Sequence, residues 1–329
     1  MVRVAINGFG RIGRHVLHAG LFNKNIEWVA INDLADAKTL AYLFKHDSVF
    51  GNFDGSVDSK DNLLIINGKK ILVLNEKDPS NLPWKKLKVD IVVESSGTLT
   101  SRETASVHLS SGARKVLVSC PCEGADITLV KGVNEEQYNK KKHHILSNAS
   151  CTTNALAPIV KIINDSLGIV HGFMITAHAL TADQRLIDAP NKDLRRGRSA
   201  TLSIVPTTTG AAKAVAEVIP ALKDKLDGSS WRVPVADGSI VNLSCVVKKS
   251  TSVNEINDLL RKASRNVLKG ILDVSDEALV SHDIIGNSHS CIVDALSTRV
   301  VDNRFISIAA WYDNEWGYAC RIVDLLKII

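Results

Sequence analysis

Apolar runs alternate with amphipathic segments through the first half of the chain. The amphipathic segments repeat apolar residues three and four positions apart, which is the spacing of one helix face. Such an alternation of strands and helices predicts a parallel sheet with helices on both of its faces. The predicted strands are VRVAIN, IEWVAIND, DIVVESSG, KVLVSCP and HHILSNAS, and the predicted helices are RIGRHVLHAGLFN, AKTLAYLFKHD and RETASVHLSSGA.

The pattern changes after residue 151. A helix-like segment, TTNALAPIVKIINDSLG, precedes longer β-rich runs such as HGFMITAHAL, GSIVNLSCVVKK and RFISIAAWYDN. These runs predict a second, α+β domain with a mainly antiparallel sheet and helices on one side. The last segment, WGYACRIVDLLKII, is helical in pattern, and we expect it to pack onto the first domain. The predicted organisation is therefore an α/β domain over 1–150, joined by a C-terminal helix over 315–329, and a catalytic domain over 151–314.

Composition fits two packed domains. The chain has 329 residues, of which 45% are hydrophobic and 23% charged, so it is not disordered. The net charge of +5 comes from scattered lysines and arginines. The densest basic run, KKKHH at 140–144, has no interleaved aromatic residues and reads as a solvated turn. Nucleic acid is therefore not a required partner.

Cysteine spacing and hydropathy indicate the cellular compartment of the protein. Six cysteines are spread along the chain without the paired spacing of a disulfide scaffold or a zinc site, so we expect free thiols and no metal. No apolar run reaches the roughly 20 residues that cross a membrane. The opening MVRVAINGFG lacks the features of a secretory signal. Together these features predict a cytoplasmic protein.

The first chemical signal is INGFGRIGR. Gly8, Gly10 and Gly13 form GxGxxG between a predicted strand and a predicted helix, the context in which this motif binds a dinucleotide of the Rossmann type. The helix N-terminus stabilises the pyrophosphate charge. Asp33, 20 residues after Gly13, can accept hydrogen bonds from ribose hydroxyls and repels a 2′-phosphate, which favours NAD over NADP. The alternative is a simple glycine turn followed by a solvated aspartate.

The second signal is Cys151 in SNASCTTN. The residue follows the last predicted strand of the doubly wound sheet and begins a helix, whose N-terminus favours a thiolate. His178, in ITAHALT, lies in a strand-like segment that can bring an imidazole to the same edge. A cysteine and a histidine beside a nicotinamide indicate aldehyde oxidation through a thioester. The alternatives are a hydrogen-bonded core histidine and a small buried thiol.

These motifs resemble the phosphorylating glyceraldehyde-3-phosphate dehydrogenases over essentially the whole chain. INGFGRIGR, SNASCTTN, TTTGAAKA, RVPV and WYDNEWGY match that family in order. The resemblance implies reversible conversion of D-glyceraldehyde 3-phosphate, NAD and phosphate into 1,3-bisphosphoglycerate and NADH by a homotetramer. It also implies that Cys151 is the nucleophile, and that His178 raises its reactivity and then acts as base and acid.

The resemblance implies further site residues, matched position by position. The NAD site would comprise Gly8, Gly10, Arg11, Ile12, Gly13, Asp33, Lys77, Ser119 and Asn314, the last through the nicotinamide carboxamide. The phosphate of the triose substrate would be held by Thr181 and Arg232. Inorganic phosphate would be held by Ser150, Thr152, Arg196, Thr209 and Gly210.

Some positions depart from the family pattern, and two other functions stay open. Gly238 and Asn242 stand where valine and aspartate are common, which predicts different local strand packing or subunit contacts. Cys120 and Cys122 are either tolerated small side chains or a redox pair. The alternative functions are an erythrose-4-phosphate dehydrogenase and a catalytically idle nucleotide- or RNA-binding paralogue. Retention of Thr209 and Gly210 favours phosphorolysis.

Overall fold

A computed structural model describes residues 1–329, which form two compact units. The first unit contains residues 1–129, 136–149 and 319–329, and the second contains residues 130–135 and 150–318. The chain thus passes into the second unit at Ser150, and the C-terminal segment belongs to the first unit from Ala319 onward.

The first unit is built on a nine-stranded sheet. Its elements are β1 (Val2–Asn7), α1 (Arg11–Gly20), β2 (Ile26–Asn32), α2 (Ala37–Lys45), β3 (His46–Asp47), β4 (Gly51–Asn52), β5 (Val57–Lys60), β6 (Leu63–Ile66), β7 (Lys69–Leu74), β8 (Ile91–Glu94), α3 (Arg102–Ala105), α4 (Val107–Ser110), β9 (Lys115–Val118), β10 (Ile127–Thr128) and β11 (Ile145–Ser147). The strand order is β10-β11-β9-β8-β1-β2-β7-β6-β5. The strands from β10 to β7 are parallel, and β6 and β5 are added antiparallel.

The predicted α/β fold of the first half is confirmed, with two differences. The segment predicted as one helix after residue 101 is divided at Ser106 into α3 and α4. The hairpins that join β5, β6 and β7 were not predicted. Because these strands pair antiparallel, the sheet is mixed rather than wholly parallel. Asn67 and Gly68 form a two-residue turn with φ values of 48° and 77°, and such a turn joins antiparallel strands.

The second unit contains an eight-stranded sheet. Its elements are α5 (Cys151–Leu167), β12 (Ile169–His178), β13 (Val205–Thr207), α6 (Ala211–Val218), β14 (Leu226–Arg232), β15 (Ser239–Val247), α7 (Val253–Arg265), β16 (Leu272–Ser275), β17 (Cys291–Asp294), β18 (Arg299–Val301) and β19 (Phe305–Tyr312). The order is β13-β14-β12-β15-β19-β17-β16, and β18 pairs with β19. The sheet is mainly antiparallel, as predicted, with parallel pairs β12–β14 and β16–β17. The last helix, α8, spans Trp316–Leu326.

The pairing of four strands assembles one edge of this sheet. In the parallel pair β12–β14, His178 lies opposite Arg232. In the antiparallel pair β15–β19, Ser239 lies opposite Tyr312. Because β12 and β15 are also antiparallel, the carboxyl ends of β12, β14 and β19 meet the start of β15. Four polar side chains from distant parts of the chain therefore lie together.

Helix α5 begins at a defined residue. The Ser150 hydroxyl oxygen accepts a hydrogen bond from the Thr153 amide at 3.0 Å, which is the usual contact of an N-cap. Ala149, immediately before it, is fully buried and has a φ of 52°, in the left-handed region that non-glycine residues rarely adopt. Helix α5 packs on β15 and β19, so the first residue of the helix is fixed by both its cap and the sheet.

Candidate active site

The glycine loop after β1 contains glycines of two kinds. Gly8 has a φ of 89°, and an added Cβ there would lie 2.4 Å from the Ser96 amide nitrogen. A Cβ on Gly13 would lie 2.3 Å from the Gly8 carbonyl oxygen. A Cβ on Gly10 would meet no atom of the protein within 4 Å. The packing of the chain therefore requires Gly8 and Gly13, whereas Gly10 leaves space for a group from outside.

The N-terminus of α1 suits a pyrophosphate. No side chain of the N-cap residue Gly10 caps this helix and its first turn has no acidic residue, so the positive end of the helix suits an anion. The Arg11 guanidinium is directed elsewhere, because it pairs with Asp47 at 2.5 Å and lies over the Phe50 ring. Among the remaining predicted contacts, Lys77 is exposed, while Ile12 and Ser119 are half-buried.

Asp33 is joined directly to the glycine loop. One carboxylate oxygen accepts the Phe9 amide at 2.7 Å, and the other accepts the Ala35 amide at 3.0 Å. A carboxylate oxygen has two lone pairs, so each retains acceptor capacity for a ribose hydroxyl. Asp33 therefore does two things: it fixes the loop and presents negative charge at the end of β2.

In the second unit, Cys151 and His178 are in contact. The sulfur lies 3.3 Å from Nε2 of the imidazole. Nδ1 lies 2.8 Å from the Ala179 carbonyl oxygen. A carbonyl oxygen can only accept and a guanidinium can only donate, and Nη1 of Arg232 lies 2.5 Å from the same Nδ1, so the two contacts require opposite tautomers. We assign the ring hydrogen to Nδ1, as the carbonyl contact requires, because only this tautomer leaves a lone pair on Nε2 facing the thiol. This is the arrangement of a nucleophile beside a general base.

Burial sets the protonation state of this pair. It raises the pKa of the Cys151 thiol to about 11, against the opposing influence of the Arg232 charge and the Thr152 amide. Burial, followed by repulsion from Arg232, lowers the pKa of His178 to about 3. The amide at the helix N-terminus does favour a thiolate, as predicted, but desolvation of the sulfur opposes it and is the larger influence on the pKa. The resting pair is a neutral thiol and a neutral imidazole.

Arg232 and Arg196 give the site its positive charge. Nη1 of Arg232 lies 2.5 Å from Nδ1 of His178, where strand pairing places it. Arg196 forms ion pairs with Asp183 and Asp193, and the Thr181 hydroxyl donates to Asp183. Burial and mutual repulsion with Arg232 lower the pKa of Arg196. Two guanidinium groups this close favour an anion beside them.

The other predicted phosphate contacts have different environments. The Thr209 hydroxyl oxygen accepts the Ala211 amide at 3.2 Å at the start of α6, and a Cβ on Gly210 would meet nothing within 4 Å. Helix α6 packs against α5. Ser150 is half-buried and its hydroxyl serves the α5 cap. Thr152 is buried and its hydroxyl bonds Tyr312, so its side chain is committed to the protein.

Tyr312, which was not among the predicted site residues, anchors the floor of the site. The Thr176 hydroxyl donates to the Ile240 carbonyl at 2.9 Å, so it accepts from the Tyr312 hydroxyl at 2.9 Å. The Tyr312 oxygen in turn accepts from Thr152 at 2.9 Å. The Tyr312 ring meets the edge of His178 at a centroid distance of 6.0 Å. The one sequence signal was a tyrosine immediately before the polar pair 313–314.

Asp183 was also missed, although the run TADQR places an acid two residues after Thr181. Cys120 and Cys122 have free thiols whose pKa values are raised by burial, that of Cys120 to about 11. Raised pKa values, without a histidine contact like that of Cys151, make both poor nucleophiles, which favours the interpretation as tolerated small side chains.

Comparison with known proteins assigns the chain to a family. The model of the NAD binding domain of glyceraldehyde 3-phosphate dehydrogenase matches residues 2–102, and that of the C-terminal domain matches residues 150–314. The chain belongs to the glyceraldehyde 3-phosphate dehydrogenase family. NAD is the cofactor of that family's amino-terminal domain, and the open Gly10 and uncapped α1 fit its pyrophosphate.

Individual members of the family match from end to end. The glyceraldehyde-3-phosphate dehydrogenase of Geobacillus stearothermophilus is 53% identical over 328 residues, covering 100% of this chain and 98% of that protein. The enzyme of Kitasatospora aureofaciens is 51% identical over 330 residues, with coverage of 100% and 99%. Glyceraldehyde-3-phosphate dehydrogenase 1 of Bacillus subtilis (strain 168) is 50% identical over 328 residues, with coverage of 100% and 98%. None of the helices combines the length and apolar character needed to span a membrane.

Substitution of Gly13 should affect stability, whereas substitution of Gly10 should affect cofactor binding. Gly13→Ala should lower the free energy of unfolding by about 1–3 kcal/mol, because the methyl group meets a backbone carbonyl that cannot move aside. Gly10→Ala should change stability by less than about 0.5 kcal/mol and weaken NAD binding, because its methyl group occupies the open space. Denaturant unfolding and calorimetric titration with NAD measure the two effects. A stable Gly13→Ala variant, or undiminished NAD affinity in Gly10→Ala, would contradict the distinction.

Proposed function

We propose that the protein is an NAD-dependent phosphorylating glyceraldehyde-3-phosphate dehydrogenase that works through a thioester on Cys151. The observation that carries this proposal is the 3.3 Å contact between the Cys151 sulfur and His178 Nε2, in a chain of this family. The fixed positive charge of Arg232 and Arg196 beside that contact suits a substrate with a phosphate group.

The chemistry follows from the neutral resting pair. As the sulfur attacks the aldehyde carbon, Nε2 of His178 takes the thiol proton. His178 then gives this proton to the carbonyl oxygen, which becomes a hydroxyl. The imidazole, having returned its proton, then accepts the hydroxyl proton while hydride leaves the same carbon. Bound NAD supplies the hydride acceptor, and Asn314 is proposed to orient its carboxamide. The carbon is oxidised by two electrons and remains on sulfur as a thioester.

Phosphate then releases the acyl group. Inorganic phosphate attacks the thioester carbon, the carbon–sulfur bond breaks, and the thiolate recovers its proton from His178. We assign the triose phosphate group to Arg232 and Thr181, and the attacking phosphate to Arg196, Thr209, Gly210, Ser150 and Thr152. Thr209 and Gly210 at the start of α6 support this assignment, because helix N-termini bind anions. Thr152 contributes least, since its hydroxyl is bonded to Tyr312.

Further properties belong to the same proposal. A cytoplasmic, glycolytic or gluconeogenic role fits a chain of this family without a membrane-spanning helix. The family resemblance implies a homotetramer, and association between copies of the chain is supported by large apolar side chains exposed on the segment 181–204. These side chains are Leu186, Ile187, Leu194, Leu202 and Ile204.

Loss of the thiol or of its base should have distinct effects. Cys151→Ser should abolish dehydrogenase turnover while NAD binding persists, and His178→Asn should lower turnover by roughly 10²- to 10⁴-fold. An alkylating reagent should modify Cys151 before the other five cysteines, because its sulfur lies 3.3 Å from Nε2 of His178, which can take its proton. In His178→Asn this preference should disappear. Peptide mapping in which Cys120 or Cys122 reacts first without loss of activity would overturn the assignment.

Cofactor preference tests Asp33. The carboxylate repels a 2′-phosphate, so NAD should be preferred over NADP by at least about tenfold in kcat/KM, or ~1.4 kcal/mol. Asp33→Gly should narrow that preference. Asp33→Asn is the sharper variant, because it removes the charge and keeps an acceptor for the Phe9 amide. Equal efficiency with both cofactors in the unmodified protein would contradict the role of Asp33.

The phosphate dependence of turnover distinguishes a glyceraldehyde-3-phosphate dehydrogenase from an erythrose-4-phosphate dehydrogenase. Arg196→Ala should mainly raise the phosphate concentration needed for half-maximal rate, and Arg232→Ala should mainly raise KM for the triose phosphate. Both should leave NAD affinity nearly unchanged. NADH production is measured with glyceraldehyde 3-phosphate and with erythrose 4-phosphate, each with and without phosphate. Phosphate-independent turnover, or a marked preference for erythrose 4-phosphate, would favour the erythrose-4-phosphate dehydrogenase; no turnover with either would favour the idle paralogue.

A further inference from the structure

Two carboxyl groups lie buried against each other beside the candidate active site. Asp237 precedes β15 and Asp313 follows β19, and the pairing of Ser239 with Tyr312 brings them to the same edge of the sheet. Asp237 is 0% exposed and Asp313 is 2% exposed. The Asp237 carboxyl is within hydrogen-bonding reach of Asp313. Two buried carboxyls in contact do not both ionise, so the pair holds one proton.

The hydrogen bonds decide which residue carries that proton. Asp313 accepts three amides, from Gly286 at 2.7 Å, Glu315 at 2.9 Å and Trp316 at 2.6 Å. Asp237 accepts only the adjacent Gly238 amide at 2.8 Å, and its Oδ2 is buried without an amide donor. Amide donors stabilise the ionised form. Asp313 is therefore the carboxylate, and Asp237 is the neutral acid that donates to it.

Asp313 holds the turn that carries Asn314. Its contacts with the amides of Glu315 and Trp316 fix the chain immediately before α8. The Asn314 side chain is held separately by the Ser239 hydroxyl, 2.5 Å from Oδ1. Because the Ser239 oxygen already accepts the Ala179 amide at 3.0 Å, its hydrogen goes to Asn314. This orientation leaves the Asn314 amide nitrogen as the outward donor.

The backbone of Asp237 cannot shift easily. Gly238 has a φ of 84°, and a Cβ there would lie 2.1 Å from the Ser281 carbonyl oxygen. The chain is therefore pressed against the segment 281–284 at this residue. With its backbone held, Asp237 can move its carboxyl away from Asp313 only by rotation of its side chain.

We propose that Asp237 is a positioning residue that acts as a neutral acid, donating a hydrogen bond to Asp313 and so holding the 313–316 turn that presents Asn314 to the nicotinamide carboxamide. The inference rests on the proposed function through the role of Asn314. Ionisation of Asp237 would place two negative charges in contact and loosen the turn. The same charge would raise the pKa of the nearby Cys151 thiol.

The direction of the pH dependence follows from the surroundings. Burial and the charges of Asp313 and Glu315 raise the pKa of Asp237 to about 9. On the segment packed against Gly238, His282 and Asp283 are both exposed and water screens them. Since the folded pKa lies above the unfolded value of 3.8, the folded state keeps a proton that the unfolded state releases. The stability contribution is complete below pH 4 and is lost as pH rises to about 9.

The first test uses the protein without cofactor. Asp237→Asn keeps a donor for Asp313 and cannot ionise, so its Tm should exceed that of the unmodified protein by an amount that grows from pH 4 to about 9 and then levels off. Asp283→Asn, an exposed carboxyl on the adjacent segment, is the matched control and should follow the unmodified protein. A Tm difference that is constant with pH would overturn the shared proton.

The second test compares NAD with ADP-ribose, which lacks the nicotinamide. Between pH 7 and pH 10 the ratio of NAD affinity to ADP-ribose affinity should fall about two- to tenfold in the unmodified protein, the worth of one hydrogen bond. In Asp237→Asn the ratio should stay constant, and in Asp237→Ala it should be low at both pH values. Calorimetric titration measures each affinity, and the effects of titrating groups that contact only the ADP-ribose part cancel in the ratio.

The outcomes distinguish a failure of the proposed role of Asn314 from a failure of the proposed role of Asp237. If the unmodified protein binds NAD no more tightly than ADP-ribose at pH 7, the proposed role of Asn314 fails. If NAD binds more tightly but the ratio is the same at both pH values and in all variants, the positioning role of Asp237 fails and the proposed function stands. Should Asp237→Ala not fold, Asp237→Asn still decides the matter by its pH profile.

Discussion

The register between β12 and β14 is the constraint on which the candidate active site depends. It sets His178 opposite Arg232, and the neighbouring register between β15 and β19 sets Ser239 opposite Tyr312. A slip of one residue in either pair would turn these side chains to the other face of the sheet. The capped start of α5 places Cys151 at the edge that these strands form.

Burial gives this edge its chemistry as well as its shape. It keeps the thiol protonated, keeps the imidazole neutral and holds a proton on Asp237. The nucleophile and its base are therefore uncharged, Arg196 is paired with Asp183 and Asp193, and Arg232 is the cation in contact with His178. A neutral nucleophile and base beside this cation can attract an anionic substrate before any proton has moved.

The sequence patterns predicted what is local. The strands of the parallel sheet, the glycine loop, Asp33 and the helix at Cys151 all have signals within a few residues, and the structure contains them. The hairpin turn at Asn67–Gly68 had such a signal too and was overlooked. Ser239 and Asp237 had none, and Tyr312 had only its place immediately before the polar pair 313–314, because the partners of all three lie far along the chain and only strand register brings them together. The raised pKa of the Cys151 thiol could not be predicted for a related reason: the helix N-terminus is visible in the sequence, but desolvation is a property of the folded site.

The two ends of the nine-stranded sheet affect how the protein behaves at high concentration. An exposed strand edge offers unpaired amides and carbonyls to another chain, and proteins protect such edges with short strands and charges. At one end lies β10, only two residues long. At the other lies β5, four residues long, whose exposed side chains include Asp58 and Lys60. The hairpins that make the sheet mixed thus end it in a short charged strand, which resists edge-to-edge aggregation.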